Sequence, residues 1–148
     1  LTAFRAVARA YREGDPVGAM ERAGRRLADG VNAAADAAGV GDAVRAIGRP
    51  SCLVFTTRDA DGAPSQAYRT LFLQELMRRG VLGQSFVISA AHTDADVDHT
   101  VDAVTQALVP YRKALEAGTA DGLLEGRPVA PALRRTAAPR RLPGGAPS

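Results

Sequence analysis

Val97, Val101, Val104, Leu108, Tyr111 and Leu115 recur at intervals of 4, 3, 4, 3 and 4 residues. That spacing places one apolar stripe along a long α-helix and fits no strand. A stripe of this length must lie against other apolar elements, so the rest of the chain has to build a core for it. Pro110 falls within the run and is expected to kink the helix.

The helix has a marked beginning. Residues 92 to 100 read HTDADVDHT, in which Thr93 is a natural N-cap and Asp94, Asp96 and Asp98 fall where carboxylates favour the positive end of a helix dipole. The D-x-D-x-D pattern also opens calcium loops, but such a loop requires Gly at its sixth position and Glu at its twelfth. His99 and Thr105 stand there instead, which argues against calcium. In a helix the seven residues from His92 to His99 span about 10 Å at ~1.5 Å of rise each, too far for joint chelation. His99 is expected to be solvated, whereas His92 precedes the cap and is free to face a cleft.

Upstream, Leu1, Phe4, Val7, Ala8 and Tyr11 follow helical spacing with no N-cap before them, as if the chain began inside a helix. Glu13-Gly14 interrupts it, and Asp15-Pro16 supplies an N-cap and a first helical residue for a second helix. Its stripe is Val17, Met20, Leu27, Val31 and Ala35, its arginines Arg22, Arg25 and Arg26 should form a solvated face, and Gly39 should stop it. Two neighbouring strands are expected at residues 43–47 and 51–57, followed by a turn at Asp61-Gly62. Ser65 then caps a helix carrying Tyr68, Leu71, Phe72 and Leu76 and ending at Gly80, and SFVIS at residues 85–89 reads as a short strand.

The 148 residues suffice to bury roughly two-thirds of the unfolded surface in one core. No run approaches the ~18 consecutive apolar residues of a membrane span, so no membrane partner is expected. The lone cysteine, Cys52, excludes an internal disulfide and fits a reducing cytoplasm; its neighbours Leu53, Val54 and Phe55 suggest a buried structural thiol. The net charge of +3 is uneven: five arginines and no acids follow residue 126, leaving 14 basic against 16 acidic groups before it. The basic character belongs to a Pro- and Gly-rich tail, expected to be disordered, and not to a nucleic-acid-reading surface. P-loop, CxxC and G-x-S-x-G patterns are all missing, and Lys113 is the only lysine among 19 basic residues.

Three runs carry a resemblance. LFLQELMRRGV (71–81), SAAHTDADVDHT (89–100) and LEGRPV (124–129) make the segment from Gly48 to Arg135 resemble the C-terminal part of class III aminotransferases, closest to the glutamate-1-semialdehyde 2,1-aminomutase-like branch. The resemblance implies an α+β fold: the C-terminal small domain of a fold-type I pyridoxal-phosphate-dependent transferase, with a small antiparallel sheet covered by helices. It divides the chain into residues 1–14, the end of a helix from a missing large domain, a small domain at 15–136 and a disordered tail at 137–148. It further implies pyridoxal 5'-phosphate held by a lysine of the large domain upstream of Leu1, so that Lys113 is not assigned that role and the chain alone is not expected to catalyse.

The partners so implied are the chain's own large domain, a second subunit of a homodimer and a small amino or keto acid. Arg69, Ser89 and His92 are the substrate-cleft candidates, by their location in or beside the resembling runs. Two other readings stand beside this one. The chain could be a stand-alone, non-catalytic relic serving in binding or dimerisation, or its arginine tail could hold an acidic partner.

Overall fold

The computed structural model describes residues 2–130. Helices α1 (Thr2–Glu13) and α2 (Pro16–Ala37) lead into strands β1 (Val44–Arg49) and β2 (Cys52–Thr57); α3 (Gln66–Arg78), β3 (Phe86–Val87) and α4 (Asp94–Ala117) follow. The result is an α+β arrangement in which a three-stranded antiparallel sheet of order β1-β2-β3 packs against helices. The expected tail and the end of the expected small domain, residues 131–148, lie outside the described residues. No helix among the described residues is long and apolar enough to cross a membrane.

Local chemistry sets the element ends. Asp15 accepts from the N–H of Gly18 and Pro16 occupies the first helical turn of α2; Ser65 and Thr93 cap α3 and α4 in the same way. Gly39 and Gly80, at φ of 71° and 79°, turn the chain out of α2 and α3 through the left-handed region that costs a glycine least. Helix α4 runs on through Pro110 as a single element.

Strand alternation decides what the sheet hides. Leu53, Phe55 and Thr57 point inward from β2, while Val54 and Cys52 point outward. Cys52 is therefore exposed, against the expectation of a buried thiol, because helices cover one face of the sheet and Cys52 belongs to the other. Strand β3 is shorter than the expected 85–89 and pairs only through Cys52–Val87 and Leu53–Phe86.

The core joins Leu27, Val31 and Ala35 of α2, Leu71, Phe72 and Leu76 of α3, and Val97, Val104, Leu108 and Tyr111 of α4 to the inward sheet residues. Phe55 stacks edge-on to Phe72 at 5.0 Å, and Tyr68 to Tyr111 at 5.4 Å. Gly24 lets α2 approach the β1–β2 turn so closely that an added Cβ would sit 1.8 Å from the carbonyl oxygen of Pro50. Val17 of the expected stripe stays exposed, and α1 contributes no buried residue: its Phe4, Val7 and Tyr11 all face solvent.

Candidate functional site

The SAAHT turn between β3 and α4 is organised by its own residues. His92 Nδ1 accepts from the backbone N–H of Ser89 at 2.9 Å and lies 3.2 Å from Ser89 Oγ, while the His92 N–H donates back to the Ser89 carbonyl. With Nδ1 accepting from a backbone donor, the neutral ring carries its proton on Nε2. The pair thus fixes the turn; the nitrogen that would have to activate the serine is already engaged. His92 also lines a shallow groove of about 90 Å³ with Leu27, Val81, Phe86, Asp96 and Thr100, where the imidazole offers a donor.

The three aspartates of HTDADVDHT are all engaged. Asp96 closes a capping box with Thr93, accepting from its N–H at 2.8 Å and from its hydroxyl at 2.7 Å. These two bonds, the backbone one foremost, hold its carboxyl below the usual range. Asp94 and Asp98 grip Arg26 of α2 at 2.9 and 2.7 Å, so one arginine of the expected solvated face ties the two helices together. Among the described residues no group of three or more His, Cys, Asp or Glu side chains is arranged to hold a metal ion.

Arg69 stands apart from Ser89 and His92. Its Nη2 donates to the Gln84 carbonyl at 2.6 Å, and its guanidinium lies 4.8 Å over the Phe55 ring. It lines a different hollow, of about 290 Å³, with Thr57, Arg58, Ser65 and Gln66, which shares no lining residue with the His92 groove; Phe55 lines the one and Phe86 the other, their rings 5.2 Å apart.

Helicity alone did not reveal the polar centre of α3. Gln74 and Glu75 are buried beside the apolar stripe. Gln74 donates to the Leu123 carbonyl at 2.9 Å and accepts from the Glu125 N–H at 2.8 Å. Glu75 accepts from Arg79 at 2.7 Å and from Arg78, which also pairs with Glu125. Burial, the largest influence on Glu75, pushes its carboxyl up, but the bonds from Arg79 and Gln74 and the two guanidinium charges together bring it below the usual range. The first and third resembling runs are therefore joined through Gln74, Glu75 and Arg78. The only sequence signal for this was a Gln-Glu pair inside an otherwise apolar helix face.

Neither hollow fits a lysine-bound cofactor. Lys113, the only lysine, is exposed on α4 and lines neither of them. The described residues thus supply no Schiff-base site for pyridoxal phosphate.

Fold and site together define an α+β domain whose elements are tied by polar clamps, Arg26 to Asp94 and Asp98, and Gln74 to Leu123 and Glu125. No family model matches the chain, and no solved structure matches it. In an alignment 104 residues long it is 34% identical to the glutamate-1-semialdehyde 2,1-aminomutase of Syntrophobacter fumaroxidans (strain DSM 10017 / MPOB), and the alignment covers 64% of this chain and 24% of that protein. The chain thus spans about a quarter of the relative it matches. The similarity supports a distant relationship to the class III pyridoxal-phosphate-dependent family that the three runs resemble.

Proposed function

We propose that the chain is the small-domain part of a pyridoxal-phosphate-dependent class III aminotransferase or glutamate-1-semialdehyde 2,1-aminomutase-like enzyme of fold type I. Amino-group transfer on a small amino or keto acid is the activity of the whole protein, a cytoplasmic homodimer whose large domain holds the cofactor. The observation that carries this reading is the 34% identity to the aminomutase over 104 residues. The three-stranded antiparallel sheet packed against helices agrees with it. In this reading residues 1–14 end a connecting helix, and Arg69, Ser89 and His92 face toward the substrate cleft.

The test is to read the coding sequence immediately upstream of Leu1 in its natural context. A continuous frame encoding a lysine-bearing cofactor domain is expected. A stop codon directly before Leu1 overturns the reading. The purified 148-residue chain should show neither a lysine-bound cofactor spectrum nor amino-group transfer.

One observation favours a second reading, a non-catalytic module for binding or dimerisation. Phe4, Val7 and Tyr11 on α1 and Ile47, Val54 and Val87 on the open face of the sheet are exposed, and such surface is commonly covered by a partner. A clean folded monomer in size-exclusion chromatography, with no added partner, counts against that module.

A further inference from the structure

The hollow at the N-terminus of α3 has a chemistry of its own. Its lining includes the guanidinium-bearing Arg58 and Arg69, the cap Ser65, Gln66 of the first turn and Thr57, with no acidic side chain. Helix geometry leaves the N–H groups of Gln66 and Ala67 beyond reach of any carbonyl of their own helix. Ser65 Oγ takes only the Tyr68 N–H, at 3.5 Å.

Thr57 is the independent indication. It is only 8% exposed, on the inward side of β2, yet its hydroxyl has no hydrogen-bond partner among the described residues. No side-chain polar atom in the described residues is both sealed from solvent and unpartnered, so this hydroxyl is not a sealed one, and Thr57 lines the hollow. The neighbouring Thr56, by contrast, is committed to the Arg45 N–H and the Ala43 carbonyl.

Both arginines are positioned by contacts that leave donors to spare. Arg58 gives Nη1 to the Gly62 carbonyl at 2.7 Å, and Arg69 gives Nη2 to Gln84 while resting on Phe55. A guanidinium has five N–H donors, so each retains several. In the turn before α3, Asp59 accepts from the N–H groups of Asp61 and Ala63 and lines a separate hollow.

We propose that this hollow binds the phosphate group of a small phosphorylated molecule, through Arg58, Arg69, the Thr57 hydroxyl and the first-turn N–H groups of α3. Donors borne on a strand, a loop and a helix end approach from three separate elements, which suits a tetrahedral oxyanion with three free oxygens better than a flat carboxylate. The remaining volume, about 290 Å³ in all, leaves room for the group that carries the phosphate.

The experiment titrates the full chain with inorganic phosphate, and separately with acetate, at constant ionic strength, following backbone amide shifts by NMR. Saturable shifts at Thr57, Gln66 and Ala67 are expected with phosphate, and acetate should bind about tenfold more weakly or not at all. Arg69→Gln should weaken phosphate about tenfold. Thr57→Val should weaken it severalfold while leaving the urea midpoint unchanged or higher, since it removes a hydroxyl that bonds to nothing among the described residues. Should Arg69→Gln fail to fold, Thr57→Val decides alone. Absence of saturation overturns the proposal, as does phosphate affinity that Thr57→Val leaves untouched. A preference for acetate replaces the phosphate assignment with a carboxylate one and equally overturns it.

Discussion

Replacing Glu75 is the most direct probe of the polar centre of α3. The residue is 4% exposed, and its carboxylate accepts from Arg78, Arg79 and Gln74. Removing one partner of a buried ion pair costs about 3–5 kcal/mol when the remaining charge is stranded. Here the guanidinium side chains keep 48% and 24% of their exposure, so water takes back much of what they lose. Glu75→Ala should therefore cost about 2–3 kcal/mol, combining lost charged hydrogen bonds with a small void. Glu75→Gln preserves shape and one acceptor and should cost about 1–2 kcal/mol.

Urea unfolding followed by circular dichroism measures both, and pH supplies the check on mechanism. Because the folded-state pKa of Glu75 lies below its ordinary value, the unfolded chain binds the proton more readily. The stabilisation is fully present above the ordinary carboxylate value of about 4.3 and is lost as pH falls from there through the lowered folded value. The gap between the parent chain and Glu75→Gln should close over that window. A gap smaller than about 0.5 kcal/mol at neutral pH, or one that stays constant on acidification, refutes the assignment of a net stabilising carboxylate.

Other perturbations test separate contacts. Gly24→Ala gains about 1 kcal/mol of helix propensity but drives a Cβ into the Pro50 backbone, and should lower the urea midpoint by a net of about 1–2 kcal/mol in stability. Gln74→Leu should cost about 1–2 kcal/mol and speed hydrogen exchange at the Glu125 amide selectively, because that N–H loses its buried acceptor. Cys52 should react with a thiol reagent in the native protein at nearly the rate seen in urea; strong native protection would contradict its outward position on β2.

Signals carried within a few neighbouring residues were legible in the sequence. Asp15-Pro16, Ser65 and Thr93 act on N–H groups three residues away or closer, and Gly39 and Gly80 act on their own φ, so these helix ends could be read directly. The stripe from Val97 to Leu115 was equally plain, since it needs only helical geometry. Contacts between distant segments were not legible. Arg26 looked like a solvated charge because its partners, Asp94 and Asp98, come some 70 residues later. The Gln74 contacts to Leu123 and Glu125 were hidden for the same reason. Cys52 was misread because an apolar run such as CLVF does not say whether one or both faces of its sheet are covered.

The clamp formed by Gln74 also bears on where the folded unit stops. Secondary structure alone would draw its edge at Gly118, where α4 ends. Hydrogen-bond accounting draws it later: Leu123 and Glu125 are tied to Gln74, Glu125 to Arg78, and the Val129 N–H to Thr70 Oγ1 at 2.8 Å. The strap without helix or strand is thus the outer wall of α3, and trimming the chain back to the end of α4 would bare the buried amide of Gln74. An excised version meant to keep the domain whole has to retain Val129.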